Sequence, residues 1–253
     1  MPENKRGADE RRDGRSVSSS PLEDNSSDYL DFFRTISSKT ITDVPDISEM
    51  ELDDSGPEED PPEFQVVGKT HAVKIALLGD GAVGKTSLRR AYLGESFSSE
   101  YLLTLGSDFA MKTAQVEDKT LKFQIWDLSG QQRFNAVRKG YYLGCFGGLL
   151  VFDRTRPETL EHTMLWLNEL WKSSGRGPVP FLLLGNKTDI DPRANKLDKK
   201  AKMWAELFSA ETRALKGFEV HYLQTSAKTG LNVERAFQLL GRNIISWMDQ
   251  FQA

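Results

Sequence analysis

The run Gly79-Asp80-Gly81-Ala82-Val83-Gly84-Lys85-Thr86 follows directly on the apolar stretch 73–78. Glycines at these intervals adopt dihedrals that side chains forbid, so successive backbone N–H groups converge on one anion. Lys85 adds a positive charge, and a helix beginning at Thr86 and Ser87 directs the positive end of its dipole at the same point. The Thr86 hydroxyl is then placed to ligate a magnesium ion bridging phosphates. A chain with this run must form strand, loop and helix there, and the loop selects polyphosphate. The competing reading, a glycine-rich turn that binds nothing, is opposed by strand, loop and helix cues all being in place.

A phosphate cradle does not choose a base. Asn186-Lys187-Thr188-Asp189 follows a second apolar run, 181–184, which puts it in the loop at the carboxyl end of a buried strand. A carboxylate at Asp189 accepts both N–H groups that guanine presents at N1 and N2, and adenine offers no such pair. Asn186 is suited to meet N7 and to tie neighbouring loops together, and the Lys187 stem to lie over the ring. Read alone, this tetrapeptide is an ordinary solvated turn as readily as a base site. A third apolar strand, 220–223, runs into Thr225-Ser226-Ala227-Lys228, where the Ala227 N–H is suited to bond the guanine O6.

With these motifs in order, residues 71–253 resemble the Ras-superfamily small GTPases, nearest the Rab branch. Phe97-Ser98-Ser99-Glu100-Tyr101-Leu102-Leu103-Thr104-Leu105-Gly106 is similar to the family's first switch, and Trp126-Asp127-Leu128-Ser129-Gly130-Gln131 to its second. The resemblance implies that Thr104 senses magnesium and the γ-phosphate, that Phe97 packs against guanine, and that Tyr101 closes over the phosphates. It further implies that Asp127 reaches magnesium through water, that the Gly130 amide bonds the γ-phosphate, and that Gln131 orients the attacking water. The fold implied is an α/β P-loop NTPase G domain: a six-stranded, mostly parallel sheet with one antiparallel edge strand and five flanking helices. The activity implied is hydrolysis of GTP to GDP, slow without an activating protein because no arginine stands in the run 101–104. Exchange factors, activating proteins and effectors are the partners it implies, for a monomer that binds no nucleic acid. Leu128-Ser129, Gln132 and Leu103 depart from the Rab pattern, which bears on the subfamily and partners rather than the nucleotide.

Charge divides the chain of 253 residues. Residues 1–70 hold 18 acidic and 8 basic side chains, a net of −10, while the rest holds 19 and 25, a net of +6, within a formal total of −4. The first part, rich in Ser, Asp, Glu and Pro, has too little apolar surface to offset the entropy of folding and reads as a disordered extension. Within it Tyr29-Leu30-Asp31-Phe32-Phe33-Arg34-Thr35-Ile36 breaks the polar pattern, either as an amphipathic turn for a partner or its own domain, or as an incidental cluster. A non-cycling GTP-binding scaffold acting through this tail is the alternative to a switch. The one cysteine, Cys145, reads as a small apolar filler near a strand start, and the sequence ends without a prenylation box. No apolar run approaches the roughly twenty residues of a membrane span. Taken together these features point to a cytoplasmic protein brought to its place by partners.

Elsewhere, strands are expected at 108–116, 121–126 and 148–152, the first two turned by Glu117-Asp118-Lys119. Helices are expected over 86–94, 133–142, 157–172, 198–215 and 233–251. Leu160, Met164, Leu167 and Trp171 share one helical stripe and should face the sheet, with Trp166 beside it and Leu165 exposed. Val233, Phe237, Leu240, Ile244 and Met248 form a second core stripe. The basic run holding Arg193, Lys196, Lys199, Lys200 and Lys202 reads as a solvated loop and helix start.

Overall fold

The burial of each strand sorts its place in the sheet. In a computed structural model describing residues 70–98, 104, 106–130, 135–191 and 195–250, every residue of Gly147–Asp153 is buried, as befits a strand covered on both faces. Ser107–Val116 instead alternates exposed and half-buried positions, as an edge strand must. The chain runs β1 (Thr70–Leu78), α1 (Lys85–Leu93), β2 (Ser107–Val116), β3 (Lys119–Leu128), α2 (Asn135–Tyr142), β4 (Gly147–Asp153), α3 (Glu158–Glu161), α4 (Thr163–Ser173), β5 (Phe181–Asn186), α5 (Lys196–Lys216), β6 (Tyr222–Gln224) and α6 (Val233–Asp249). Strand order is β2-β3-β1-β4-β5-β6, with β2 and β3 antiparallel and every other pair parallel.

This is the six-stranded sheet with one antiparallel edge that the sequence predicts. The helix expected over 157–172 is interrupted at His162, where the Thr163 hydroxyl takes the Leu160 carbonyl at 2.6 Å. Counted as one, α3 and α4 leave five flanking helices among the described residues, as expected. Element ends follow hydrogen bonds rather than hydropathy. The first strand already includes Thr70, ahead of the apolar run, because Thr70 pairs with Thr120. The last is shifted to Tyr222–Gln224, since the Val220 N–H is taken by Ser209 Oγ at 2.9 Å. The β2–β3 turn needs only Glu117 and Asp118, with Glu117 at φ 54 and Val116 paired with Lys119.

Helices α1 and α6 cover one face, where Tyr92 stacks on Phe237 at 3.6 Å and both meet Phe123. On the other face Trp171 of α4 and Phe208 of α5 both pack on Phe181. Leu160, Met164, Leu167 and Trp171 are buried and Leu165 is 64% exposed, as their stripe requires. Trp166 is buried against α2, with the Arg138 guanidinium 4.2 Å from its ring centre. Cys145 is fully buried just ahead of β4, and burial pushes its thiol up to about 12.

Candidate functional site

Three loops at the carboxyl ends of β1, β5 and β6 converge. The Gly79 to Thr86 loop folds as its glycines demand: Gly79 has φ 135, and a Cβ there would lie 2.1 Å from the Val151 carbonyl oxygen. Gly84 has φ 102, and a Cβ there would lie 2.3 Å from Asn186 Nδ2. The phosphate loop therefore closes only because the base-loop asparagine and a bare glycine share that space. Asn186 Nδ2 donates to the Val83 carbonyl at 2.8 Å, while its Oδ1 accepts from the Ala227 N–H at 3.2 Å. The loop-tying role expected of Asn186 is thus seen directly. The Ala227 N–H, expected to face a base, is engaged by Asn186.

Lys85 is buried, and its ammonium donates to the carbonyls of Gly79 (2.7 Å) and Asp80 (2.8 Å). Burial lowers its pKa to about 8, against the opposing pull of Asp127 and Asp80. Asp80 itself points away from the loop's concave side. Its carboxylate accepts the Trp166 Nε1–H at 2.9 Å and meets His162 Nδ1 at 2.6 Å. Asp189 accepts the Ser226 hydroxyl at 2.6 Å, and Lys187, at φ 69, reaches Asp153 at 2.7 Å. Burial alone would raise Asp153, but its bonds to Lys187 and Thr155 outweigh it and hold the carboxyl below the usual range.

Around these loops lies a cavity of about 370 Å³, lined by Gly81, Ala82, Gly84, Lys85, Thr86, Ser87, Phe97, Thr104, Gly130, Asn186, Lys187, Asp189, Ala227 and Lys228. Of the other expected site residues, Gly79, Asp80, Val83 and Ser226 support the wall from behind. Tyr101 and Gln131 lie outside the described residues. Gly130 is pressed on the phosphate loop, where a Cβ would fall 2.3 Å from Asp80 C and 2.4 Å from Gly81 N.

At one end of the cavity the Thr86 and Thr104 hydroxyls stand 2.9 Å apart. Nearby, Asp127 is fully buried, and neither carboxylate oxygen has a partner in good hydrogen-bond geometry among the described residues, although the Thr86 hydroxyl lies near enough to favour the charged form. Burial raises its pKa, with Thr86 and Lys85 opposing. An orphaned buried carboxylate beside two convergent hydroxyls is the donor set of a hard divalent cation. No cluster of three or more His, Cys, Asp or Glu side chains suited to a metal occurs among the described residues.

Residues that motif spacing did not reveal form a second layer. Asp153 ends β4 and Arg156 follows it, and the Arg156 guanidinium donates to the Gly81 carbonyl at 2.8 Å. His162 and Trp166 come from the α3–α4 junction. The one available signal was position, since β4 ends beside the loops of β1 and β5.

Charge on Lys85 gives a pH-dependent expectation. Polyphosphate restores the charged ammonium that burial disfavours, so the bound state takes up a proton wherever free Lys85 is deprotonated. Triphosphate affinity will fall as pH rises above about 8, where that lowered pKa lies. Titration calorimetry above that value, in buffers of different ionisation enthalpy, will register uptake of close to one proton, absent in Lys85→Met.

Loops at the carboxyl edge of a mostly parallel sheet, a glycine cradle with a buried lysine, and a carboxylate beside it define a P-loop nucleotide-binding protein. Residues 74–246 match the family model described as "Ras family". The chain is 37% identical over 180 residues to "Ras-related protein Rab7" of Drosophila melanogaster, covering 70% of this chain and 82% of that protein. It is 39% identical over 178 residues to "Ras-related protein RABG3f" of Arabidopsis thaliana, covering 68% and 82%, and 36% identical to "Ras-related protein Rab-13" of Rattus norvegicus, covering 69% and 81%. The chain belongs to the Ras family, in its Rab branch. It is a small GTPase that binds guanine nucleotide, hydrolyses GTP and acts as a molecular switch in membrane traffic or signalling, with regulators and effectors as partners. Among the described residues no helix is long and apolar enough to cross a membrane.

Proposed function

We propose that the cavity holds GTP with its triphosphate on Lys85 and the N–H groups of the 79–86 loop, and its base against Asn186, Lys187, Asp189 and the 226–228 loop. Asp189 receives the N1 and N2 hydrogens of guanine, Phe97 and the Lys187 stem flank the ring, and Tyr101 closes over the phosphates. Magnesium fits the cluster of Thr86, Thr104 and Asp127, which would hold it, and there it would offset charge on the phosphates. Gln131 positions a water in line with the γ-phosphorus. As that water bonds, the link to the β–γ bridging oxygen breaks, and Lys85 with the loop amides stabilises the charge left behind. No covalent enzyme intermediate is needed.

Thr104 and the Gly130 amide bond the γ-phosphate only while it is attached, so hydrolysis frees both switch segments. The close seat of Gly130 on Asp80 and Gly81 supports this reading, because it couples the second switch directly to the phosphate loop. Intrinsic turnover is slow and is raised by an activating partner on the order of 10³–10⁵-fold. The protein works as a monomer in the cytoplasm and is brought to membranes by its partners.

The orphaned carboxylate of Asp127 is the observation that carries the metal assignment, and Asp127→Asn tests it. Its raised pKa means the folded state binds this proton more tightly than the unfolded chain. The cost to stability is therefore present above the raised pKa and relieved on acidification through it. Nucleotide-free Asp127→Asn will melt higher than the wild type by about 1–3 kcal/mol of stability, because burying that charge costs more than Thr86 and Lys85 return to it. Its nucleotide release will no longer accelerate when magnesium is chelated. An unchanged response to chelator refutes the assignment.

A further inference from the structure

Two side chains from outside the motifs, Arg138 and Trp166, tie the second switch to the phosphate loop. Arg138 of α2 is enclosed, its side chain 3% exposed. One Nη donates to the Ser129 carbonyl at 3.1 Å, while Nε and the other Nη donate to the Glu169 carboxylate of α4 at 3.2 and 3.3 Å. The Tyr142 hydroxyl donates to the same carboxylate at 3.1 Å, so Glu169 is fixed from two sides. The flat guanidinium also lies over Trp166, 4.2 Å from its ring centre, and the Trp166 indole N–H donates to Asp80 Oδ1 at 2.9 Å. The other Asp80 oxygen meets His162 Nδ1 at 2.6 Å.

One continuous path therefore runs from Ser129 through Arg138 and Trp166 to Asp80. Between its ends the backbone closes directly, because a Cβ on Gly130 would fall 2.3 Å from Asp80 C and 2.4 Å from Gly81 N. So close an approach leaves no slack, and whatever holds Ser129 and Asp80 in place also holds Gly130. A guanidinium suits this task. Its rigid fork fixes a carbonyl and a carboxylate together while its face stacks on an indole, which the compact charge of a lysine cannot do at once.

We propose that Arg138 is a positioning residue that keeps Ser129 and Gly130 seated on the phosphate loop, and so sets how much more tightly the site holds GTP than GDP. The proposal rests on the site reading above, in which the Gly130 amide bonds the γ-phosphate. None of the clasp's contacts uses the nucleotide. They favour the seated arrangement with GDP and GTP alike, so the γ-phosphate meets an amide already in place. Without them only a fraction of molecules is seated beforehand. Affinity for GTP then falls by that fraction, while affinity for GDP, which makes no bond to Gly130, does not. After hydrolysis the same contacts oppose unseating, so the clasp also limits how completely the switch turns off.

The test is competition binding on the full chain with magnesium, using GDP and the non-hydrolysable imido analogue of GTP. Arg138→Met will weaken the analogue on the order of tenfold and GDP by less than about twofold. Arg138→Lys will do the same although it keeps the charge. That control is needed because burial, and with it the Arg138 charge, lowers the Lys85 pKa. Trp166→Phe keeps a ring under the guanidinium but loses the bond to Asp80. It will shift the ratio in the same direction and, combined with Arg138→Met, will add little, since both act on one path. Equal weakening of both nucleotides by Arg138→Met marks a merely structural residue and overturns the proposal. So do a wild-type ratio in Arg138→Lys, which assigns the effect to charge alone, and additive losses in the combined variant. A wild type that binds neither nucleotide refutes the site reading itself, and this proposal with it.

Discussion

Asp189→Asn will lower affinity for GTP by on the order of 10²–10⁴-fold and transfer preference to xanthosine triphosphate. A carboxylate accepts two hydrogen bonds from guanine, each charge-assisted and worth about 1.5–3 kcal/mol, whereas an amide nitrogen donates where guanine also donates. Xanthine carries a carbonyl at C2 in place of the amino group, so the amide finds an acceptor there. The substitution leaves the scaffold intact. Ser226 Oγ donates to Asp189 Oδ1 at 2.6 Å, and an asparagine Oδ1 accepts that bond equally well. Competition binding with the two triphosphates checks it, and an unaltered base preference removes Asp189 from base selection.

The second large effect concerns stability. Arg154 is fully enclosed, and its fork donates to Asp198 at 2.8 Å from Nε and 2.7 Å from an Nη. Asp198 also accepts from the Tyr222 hydroxyl and the Asn195 N–H, and Arg154 donates to the Asp191 carbonyl. The network joins the end of β4, the start of α5, β6 and the loop that follows Asp189. Arg154→Ala will cost about 3–5 kcal/mol, because Asp198 is left charged and buried without its partner. Arg154→Met with Asp198→Leu will recover most of that loss, since neither charge remains. Burial would raise Asp198, but the Arg154 and Tyr222 bonds hold it down at about 2. A depressed carboxylate stabilises above its unfolded value of about 4, and that share is lost as pH falls toward 2. Denaturant melts across that window will show the wild type losing stability and the double variant losing less.

Both predictions concern the same loop region, yet only one was legible in the sequence. Asp189 is visible because base recognition needs a fixed residue type at a fixed step after a buried strand. Arg154 and Asp198 stand 44 positions apart with no local pattern linking them. The same holds for Asp153 with Lys187, Arg156 with Gly81, and Trp166 with Asp80, which steady the motif residues from neighbouring elements. Trp166 borders the helical stripe in the sequence, but nothing in that stripe reports its indole bond to the phosphate loop. Element cores were legible by period, while strand ends at Thr70 and Tyr222 moved with ladder and side-chain hydrogen bonds that hydropathy does not report.

Local chemistry was therefore written in order along the chain: glycines where φ must be positive, a lysine and a threonine at a helix start, a carboxylate after a strand. Tertiary structure alone decided which buried carboxylate lacks well-aligned hydrogen-bond partners and which aspartate turns its back on the cavity. Those outcomes depend on side chains brought together from distant segments, where burial and the competition for hydrogen bonds are settled only after the sheet has assembled.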